Sequence, residues 1–503
     1  MHPILSNGKF IASSATETFH AYNPTLGTDL TEEFPVSPWE EIEMLVRQGH
    51  EAAFELAKFS TEAIAGFLEA YAEGIGKNSE ALVEAAHLET GLPKTPRLAE
   101  VELPRTTNQL RLAAAAARDG SWRRPVRDES ANIHSVHGPL GGPVVVFGPN
   151  NFPFAFNGIS GGDFAAAIAA GNPVIAKAHP AHPMTTKLLA EIALEALEKS
   201  DLPAATVQLF YQTESENGLK LVSHPLVAAT GFTGSRHGGL ALKKAADEVG
   251  KPIYLEMSSV NPVVVLSGAL KEKAVEIAAQ LQQSCAMGTG QFCTKPGLVL
   301  VERGVAGEFM HELERLFGDC KPGVLLSHQG AANIAEAIEE LTEAGANIVC
   351  GGKETNGFAF SYQPTLLKVS GENFLKSPEA LQTEAFGNVA LVVGTDDLAQ
   401  TVECVRRIEG NLTGSIYSAS DGTDDAAYEK IEPLLRCKVG RLLNDKMPTG
   451  VAVSPAMNHG GSFPATGHPG FTAVGIPASL IRYTALHCYD NVREDRLPEI
   501  LRK

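Results

Sequence analysis

The first 120 residues space their apolar side chains as amphipathic helices do. Segments 40–58, 61–90 and 97–119 are rich in alanine and leucine that recur at helical intervals. Gly91 and Pro93 follow the second segment and are typical helix-ending residues. The pattern therefore predicts three helices before any sheet begins.

From residue 144 the pattern changes to short, β-branched apolar runs separated by helical segments. The runs predict strands at 144–147, 173–176, 207–211, 226–232 and 253–256, and the intervening segments predict helices at 164–170, 184–199 and 239–249. Strands that alternate with helices in this way form βαβ units and a parallel sheet. Ligands of such sheets bind beyond the carboxyl ends of the strands.

The alternation restarts after Pro262, with a strand at 263–266, a helix at 271–284, a strand at 297–302 and further α/β units to about residue 450. We therefore predict an α/β fold with two large domains, one formed by residues 1–123 and 141–257 and the other by 258–455. Residues 124–140 and 456–503 would form a small β arm and a carboxyl-terminal segment. The tail at 481–492 is strand-like and suited to pairing with another segment or subunit.

The composition and charge of the chain argue against some classes of binding partner. The chain has 503 residues, 44% of them hydrophobic and 20% charged, as in ordinary globular proteins. Its formal net charge of −18 argues against nucleic acid or an anionic membrane as partner, although a local basic pocket could still bind an anionic substrate. No apolar run reaches the roughly 20 residues of a membrane-spanning helix. Residues 1–10 lack the features of a secretory leader.

The cysteines indicate a reducing compartment. There are seven, an odd number, at low density and with no CxxC pair. We therefore expect a cytoplasmic protein in which most thiols are small core residues and one or more are functional.

Cys293 is the candidate nucleophile. It follows a turn of glycines and short polar residues, 287–292, that can expose its side chain. A free thiol has a pKa of about 8.5 and needs local help to ionise at neutral pH. Taken alone, such a cysteine is more often a buried structural residue.

Two further candidates stand just past predicted strands. Glu256 ends the strand at 253–256, where a carboxylate can act as a general base, although a solvated charge is the commoner explanation. Asn151 follows the strand at 144–147, and its amide could donate to an oxyanion, although asparagine also simply forms turns.

Several residues suggest nucleotide binding. Lys177 follows a strand and could bind a ribose hydroxyl, although lysines at strand ends are often only solvated. Gly234, Ser235 and Gly239 lie where a strand turns into a helix, which can bring the helix amino terminus to a phosphate. The GxGxxG fingerprint is absent, so this turn alone is weak evidence.

Metal binding is not expected. His179 and His182, and His134 and His137, have the spacing of metal ligands, but nearby prolines, the lack of acidic partners and the absence of an HExxH motif argue against a metal. We interpret His459 as structural or pocket-lining.

These segments, taken together and in order, resemble the aldehyde dehydrogenase superfamily over nearly the whole chain. The matching signatures are Asn151-Phe-Pro153, Lys177, Phe232-Thr-Gly-Ser235 with Gly239, Leu255-Glu256 with Asn261-Pro262, Gly290-Gln-Phe-Cys293, Glu384 with Phe386-Gly387, and Gly440-Arg441 with Asn444. The sequence around Cys293 and Lys177 is most similar to that of α-ketoglutarate semialdehyde (2,5-dioxovalerate) dehydrogenases and bacterial NADP-dependent fatty aldehyde dehydrogenases.

The resemblance implies a fold and a set of roles. The first domain would be a Rossmann-type NAD(P)-binding domain, the second the catalytic domain, and the arm would join subunits in a homodimer or homotetramer. Cys293 would be the nucleophile, Asn151 an oxyanion donor and Glu256 the base that activates water. The cofactor would contact Lys177, His179, Pro180, Gly234, Ser235, Gly239, Glu384 and Phe386.

One departure from the family bears on the cofactor. Many NAD-specific members carry a glutamate three residues after the lysine, and here that position is Pro180. Without this carboxylate nothing repels a 2′-phosphate at that position, and Lys177 and His179 could add positive charge. We therefore expect NADP to be accepted, and the sequence leaves open whether it is preferred to NAD.

The resemblance leaves the substrate open. Phe156, Phe292, Asn458 and Phe463 are candidates for the pocket lining. A semialdehyde needs an arginine or backbone donors for its carboxylate, whereas a fatty aldehyde needs an apolar tunnel. A coenzyme-A-acylating enzyme and a non-catalytic binding protein are weaker alternatives, because Glu256 and Cys293 are both present.

Overall fold

The computed structural model of the protein describes residues 1–355 and 359–502. In these ranges the strands are β1 (Ile4–Ser6), β2 (Lys9–Ile11), β3 (Thr18–Asn23), β4 (Thr28–Pro35), β5 (Val126–Asp128), β6 (Ile133–Gly138), β7 (Val144–Phe147), β8 (Val174–Lys177), β9 (Val207–Phe210), β10 (Ala229–Thr233), β11 (Ile253–Glu256), β12 (Val263–Val265), β13 (Leu298–Glu302), β14 (Asn347–Cys350), β15 (Thr365–Ser370), β16 (Val389–Thr395), β17 (Asn411–Tyr417), β18 (Val439–Asn444) and β19 (Ala485–Asp490). The α-helices are α1 (Trp39–Leu56), α2 (Thr61–Lys77), α3 (Ser79–Thr90), α4 (Leu103–Asp119), α5 (Gly162–Ala169), α6 (Pro183–Glu198), α7 (Ser215–Val222), α8 (Arg236–Asp247), α9 (Ser267–Ala286), α10 (Gly307–Asp319), α11 (His328–Glu343), α12 (Gly371–Lys376), α13 (Leu398–Arg407) and α14 (Asp425–Arg436).

The first sheet has the strand order β11-β10-β7-β8-β9-β1-β2. Its first five strands are parallel, and β1 and β2 join antiparallel at the far edge. Helices including α2, α4, α5 and α6 pack with it into one apolar core that contains Tyr71 and Phe164. All five parallel strands are close to their predicted positions, and their carboxyl ends form one edge.

The second sheet has the order β14-β15-β16-β13-β12-β17-β18 and is parallel except for β14. Buried aliphatic side chains cover both of its faces, in two separate clusters. Strands buried on both faces read as continuous apolar runs, and Val263–Val265 and Leu298–Glu302 do so. The predicted α/β class with parallel sheets is therefore confirmed.

A third, antiparallel sheet of order β19-β6-β5 forms the arm. The predicted tail strand is confirmed, and it pairs within the chain because β19 lies beside β6. The segment before β19 packs elsewhere: the backbone N–H of Met257 donates to the carbonyl of Ala465 (2.8 Å). His459 and Thr466 likewise contact Glu256 at the carboxyl end of β11, and His468 contacts the carbonyl of Ile253 in the same strand.

The predicted helix at 61–90 is two helices. Asn78 interrupts it with φ −102° and ψ 19°, and its side-chain amide donates to the carbonyl of Gly74 (2.9 Å). Asparagine competes with the helical backbone for hydrogen bonds, which explains the break. The prediction also missed β1–β4, whose short runs lack a clear period. No helix in the described residues is long and apolar enough to cross a membrane.

Candidate active site

The loop that carries Cys293 is held in a strained but well-supported conformation. Gly288 and Thr289 have positive φ (57° and 58°), and Gly290 packs so tightly that a Cβ there would lie 2.2 Å from the carbonyl carbon of Gly387. The Asn261 amide donates to the carbonyl of Cys293 (2.8 Å). These contacts fix the Cys293 backbone between the loops that precede β12 and β16.

Cys293 and Glu256 meet through a residue from the carboxyl-terminal segment. His459 Nε2 lies 2.8 Å from Glu256 Oε1 and 3.5 Å from Cys293 Sγ. A ring nitrogen of His459, the sulfur of Cys293 and a carboxylate oxygen of Glu256 all lie within 4.8 Å of one another. The three elements that meet here are the end of β11, the turn after α9 and the segment after β18, so the site forms only when these three distant parts of the chain are in place.

The surroundings of these groups set their charges. Burial and the nearby Glu256 carboxylate raise the pKa of Cys293 well above its usual range. Burial also raises the pKa of Glu256, but the attraction of His459 and its hydrogen bond outweigh burial and lower it. At neutral pH the resting pair is therefore a thiol and a carboxylate, and the thiol has proton acceptors next to it.

Asn151 lies on the other side of the cysteine loop. Its Nδ2 donates to the carbonyl of Gln291 (2.8 Å), and its own carbonyl accepts from Arg97 (3.0 Å). Arg97 forms a buried ion pair with Glu102, whose Oε1 accepts from the backbone N–H of Phe154 (2.8 Å). The predicted oxyanion donor is thus held beside the nucleophile by a charged pair that the sequence analysis did not identify.

A cavity of about 360 Å³ opens onto this group from the edge of the first sheet. It brings together seven predicted site residues: Asn151, Gly234, Ser235, Glu256, Cys293, Glu384 and Phe386. Glu384 Oε1 accepts from the backbone N–H of Ser259 (3.2 Å), and burial raises the pKa of Glu384.

The turn before α8 has the form expected of a phosphate-binding turn. Ser235 caps the helix, with its Oγ accepting from the N–H of Gly238 (3.2 Å). A Cβ on Gly239 would lie 2.8 Å from Met257 Sδ, so glycine allows the helix to approach the strand end closely. Gly234 and Ser235 border the cavity. An α-helix amino terminus facing a cavity suits an anionic diphosphate.

Lys177, His179 and Pro180 lie at and beyond the end of β8, on the same edge of the sheet. Burial lowers the pKa of Lys177 to about 8, which leaves it mostly protonated at neutral pH. The expected positive charge on His179 is wrong, because burial, with His182 and Lys177 nearby, lowers the pKa of His179 well below its usual range. Of the two basic residues, Lys177 alone keeps a charge.

The substrate-pocket candidates separate in the structure. A second cavity of about 830 Å³ is bordered by Phe152, Phe292, Gly288 and Arg105, among others. Phe156 lies nearby, with its ring centroid 5.2 Å from that of Phe152.

The other two candidates lie elsewhere. Asn458 donates to the carbonyl of Gly440 (3.1 Å). Phe463 is 62% exposed, so its side chain faces solvent instead of lining a pocket.

The sequence around His459 predicts only a structural or pocket-lining role for this residue. It lies 203 residues from Glu256 and 166 from Cys293, and nothing in the Met-Asn-His-Gly-Gly pattern marks it as a proton partner. Asn261 belongs to one of the family signatures, but the sequence does not predict its hydrogen bond to the carbonyl of Cys293.

Comparison with known proteins gives a consistent result. Residues 10–461 match the profile described as "Aldehyde dehydrogenase family". The chain is 37% identical to "Alpha-ketoglutaric semialdehyde dehydrogenase 2" of Azospirillum brasilense, over 99% of this chain and 96% of that protein. It is 34% identical to "Alpha-ketoglutaric semialdehyde dehydrogenase" of Acinetobacter baylyi, over 99% and 95%. The fold is similar to that of lactaldehyde dehydrogenase from Escherichia coli (TM-score 0.82, 22% identity, 97% and 98% covered).

Proposed function

The chain belongs to the aldehyde dehydrogenase family, and on this premise we propose that it oxidises 2,5-dioxovalerate (α-ketoglutarate semialdehyde) to 2-oxoglutarate with NADP or NAD. The observation that carries the proposal is that His459 contacts both Cys293 (3.5 Å) and Glu256 (2.8 Å), beside the Asn151 amide. The two relatives named above support the choice of substrate.

In the first step Cys293 Sγ attacks the aldehyde carbon. The thiol proton passes to His459 or to the carboxylate behind it, and a C–S bond forms as the carbonyl π bond opens. The oxyanion that develops accepts hydrogen bonds from Asn151 Nδ2 and the backbone N–H of Cys293. Asn151 already lies against the carbonyl of Gln291 (2.8 Å), so a small adjustment brings its amide to the new charge.

Oxidation leaves an acyl thioester on Cys293, which water must cleave. Glu256 is suited to deprotonate that water, because its Oε1 is held by His459 while its Oε2 is buried with no partner among the described residues. This carboxylate also weighs against a coenzyme-A-acylating enzyme, which releases its thioester to a thiol and needs no base for water.

The 360 Å³ cavity suits a dinucleotide cofactor. Its walls combine the α8 amino terminus, glycine at 234 and the Glu384 carboxylate, which are donors and acceptors for phosphate and ribose. NAD(P), when bound, supplies the hydride acceptor. This chain would hold the adenosine ribose through Lys177 and the nicotinamide ribose through Glu384, and Cys293 would border the cavity on one side.

We predict that NADP is accepted, with a kcat/KM within a hundredfold of that for NAD, and that Pro180→Glu shifts the ratio toward NAD. A carboxylate at residue 180 would repel a 2′-phosphate near Lys177, so kcat/KM for NADP should fall about 10- to 100-fold while that for NAD changes little. Steady-state kinetics with both cofactors measures the ratio, and Pro180→Ala controls for the loss of proline. A wild-type kcat/KM for NAD a hundredfold above that for NADP contradicts the prediction.

The substrate proposal predicts that 2,5-dioxovalerate has the highest kcat/KM in a panel with aliphatic aldehydes of increasing length. Reduction of NAD(P) measures each rate, and coenzyme A is added separately to detect acyl-CoA. The apolar walls of the 830 Å³ cavity, including Leu92, Val101 and Val324, favour a fatty aldehyde as the second candidate. A preference that rises with chain length would select that candidate and reject 2,5-dioxovalerate.

The arm supports a homodimer or homotetramer. One face of its sheet is covered by Leu497 and Leu501 of the same chain, whereas Val126, Ile133 and Leu486 are exposed (58%, 39% and 64%). Such a half-covered sheet is suited to pair with a second subunit. We also propose a reducing, cytoplasmic location, because all seven cysteines are free thiols.

A further inference from the structure

The 830 Å³ cavity lies beside the loop that carries Cys293, which also borders the proposed cofactor cavity. The two cavities meet at neighbouring residues of the same loops, since Phe152 and Phe292 border one while Asn151 and Cys293 border the other. Much of the larger cavity is apolar, with Leu92, Val101, Val324 and residues 451–453 on its walls. Charged side chains in such walls therefore require an explanation.

Two arginines border this cavity, and they differ in their partners. Arg97 forms an ion pair with the fully buried Glu102 and stacks over Phe152 (4.5 Å to the ring centroid). Arg105 has no ion pair with any carboxylate among the described residues. Its Nε donates to Gln109 (3.1 Å) and its Nη1 to the carbonyl of Val451 (2.7 Å), but its Nη2 is buried with no partner in the described chain.

Arg105 lies within reach of the reacting group. Its Cζ is 5.2 Å from the ring centroid of Phe156, and that ring is 5.9 Å from the ring of His459, which contacts Cys293. Burial lowers the pKa of Arg105, while the neighbouring Glu102 and Cys293 oppose the shift. The guanidinium is thus fixed, charged and incompletely paired, one aromatic ring away from the catalytic histidine.

We propose that Arg105 binds the carboxylate of the substrate, so that the site selects short aldehydes that carry an anionic group at the far end. This inference rests on the proposed function and names the residue that recognises the substrate. The free Nη2 and the adjacent Nη1 provide two donors for one carboxylate. A carboxylate there would supply the negatively charged partner that Arg105 lacks, and the aldehyde at the other end would face Cys293. An aldehyde with a methyl group in place of the carboxylate would leave the guanidinium unpaired.

The test compares 2,5-dioxovalerate with pentanal, an uncharged five-carbon aldehyde, in the wild type and Arg105→Met. Loss of a charge-assisted hydrogen bond should lower kcat/KM for 2,5-dioxovalerate about 10- to 100-fold, mainly through KM, and leave that for pentanal within about threefold. Arg105→Lys should recover part of the preference. Arg111→Met removes the same charge from an exposed position on α4 and should change neither value.

Comparing the two substrates distinguishes failure of the Arg105 inference from failure of the proposed function. If the wild type prefers 2,5-dioxovalerate but Arg105→Met lowers kcat/KM equally for both substrates, the role of Arg105 is overturned and the proposed function stands. If the wild type shows no preference for the charged aldehyde, both are overturned. Should the variant be inactive, binding of the product 2-oxoglutarate decides: it should raise the melting temperature of the wild type and Arg111→Met but not of Arg105→Met, and an equal shift in all three overturns the inference.

Discussion

Cys293→Ala should abolish aldehyde oxidation, with kcat falling by about 10⁴-fold or more. The C–S bond to the substrate cannot form without the thiol, and neither His459 nor Glu256 can replace it, since their arrangement serves to move protons (2.8 Å apart). The rate of NAD(P)H formation with 2,5-dioxovalerate measures the loss.

The matched control is Cys437→Ala, which makes the same change at an exposed cysteine just after α14. It should retain wild-type kcat and KM. The Cys293→Ala variant should still bind the cofactor, because the other residues that border the cavity remain. Quenching of protein fluorescence measures this binding. Equal turnover by Cys293→Ala and the wild type would remove Cys293 as the nucleophile and favour a non-catalytic binding protein.

The pattern of apolar residues along the chain is sufficient to predict where the parallel strands lie. The predicted strands at 144–147 and 253–256 coincide with β7 and β11. The signal of β7 is strong because its three consecutive valines suit a strand that is buried on both faces, whereas β11 has one β-branched residue, Ile253. Strands β1 and β2 are only three residues long and sit at a sheet edge, so too few positions repeat to reveal a period.

The active site was predictable where local sequence determines local geometry. Asn151 and Glu256 follow parallel strands, and Cys293 follows a glycine-rich turn, so each is presented at a sheet edge by its own neighbours. His459 and Arg105 differ because their importance comes from contacts across the chain. Arg105 sits on a helix whose residues read as ordinary amphipathic positions, and only the meeting of α4 with the segment at 451–453 gives it a role.

Glu256→Gln should separate acylation from hydrolysis. Glutamine keeps the size of the side chain and a hydrogen bond to His459, but it cannot accept a proton from water. The deacylation rate should therefore fall about 10²- to 10⁴-fold. Because His459 remains 3.5 Å from Cys293 to take the thiol proton, the first turnover should still proceed. We expect a rapid burst of about one NAD(P)H per active site, followed by a slow steady rate.

Rapid-mixing kinetics measures the burst, and mass spectrometry of the quenched protein should find the acyl group on Cys293. His459→Asn should behave oppositely, with a slow first turnover and no burst, because the thiol loses the imidazole that lies 3.5 Å from it. Glu248→Gln, at the exposed end of α8, controls for loss of a negative charge. A Glu256→Gln variant whose first turnover is as slow as its later ones would instead make Glu256 the base for the thiol, with His459 only positioning it. The thiol–imidazole–carboxylate contact would then act as one relay rather than serving two separate steps.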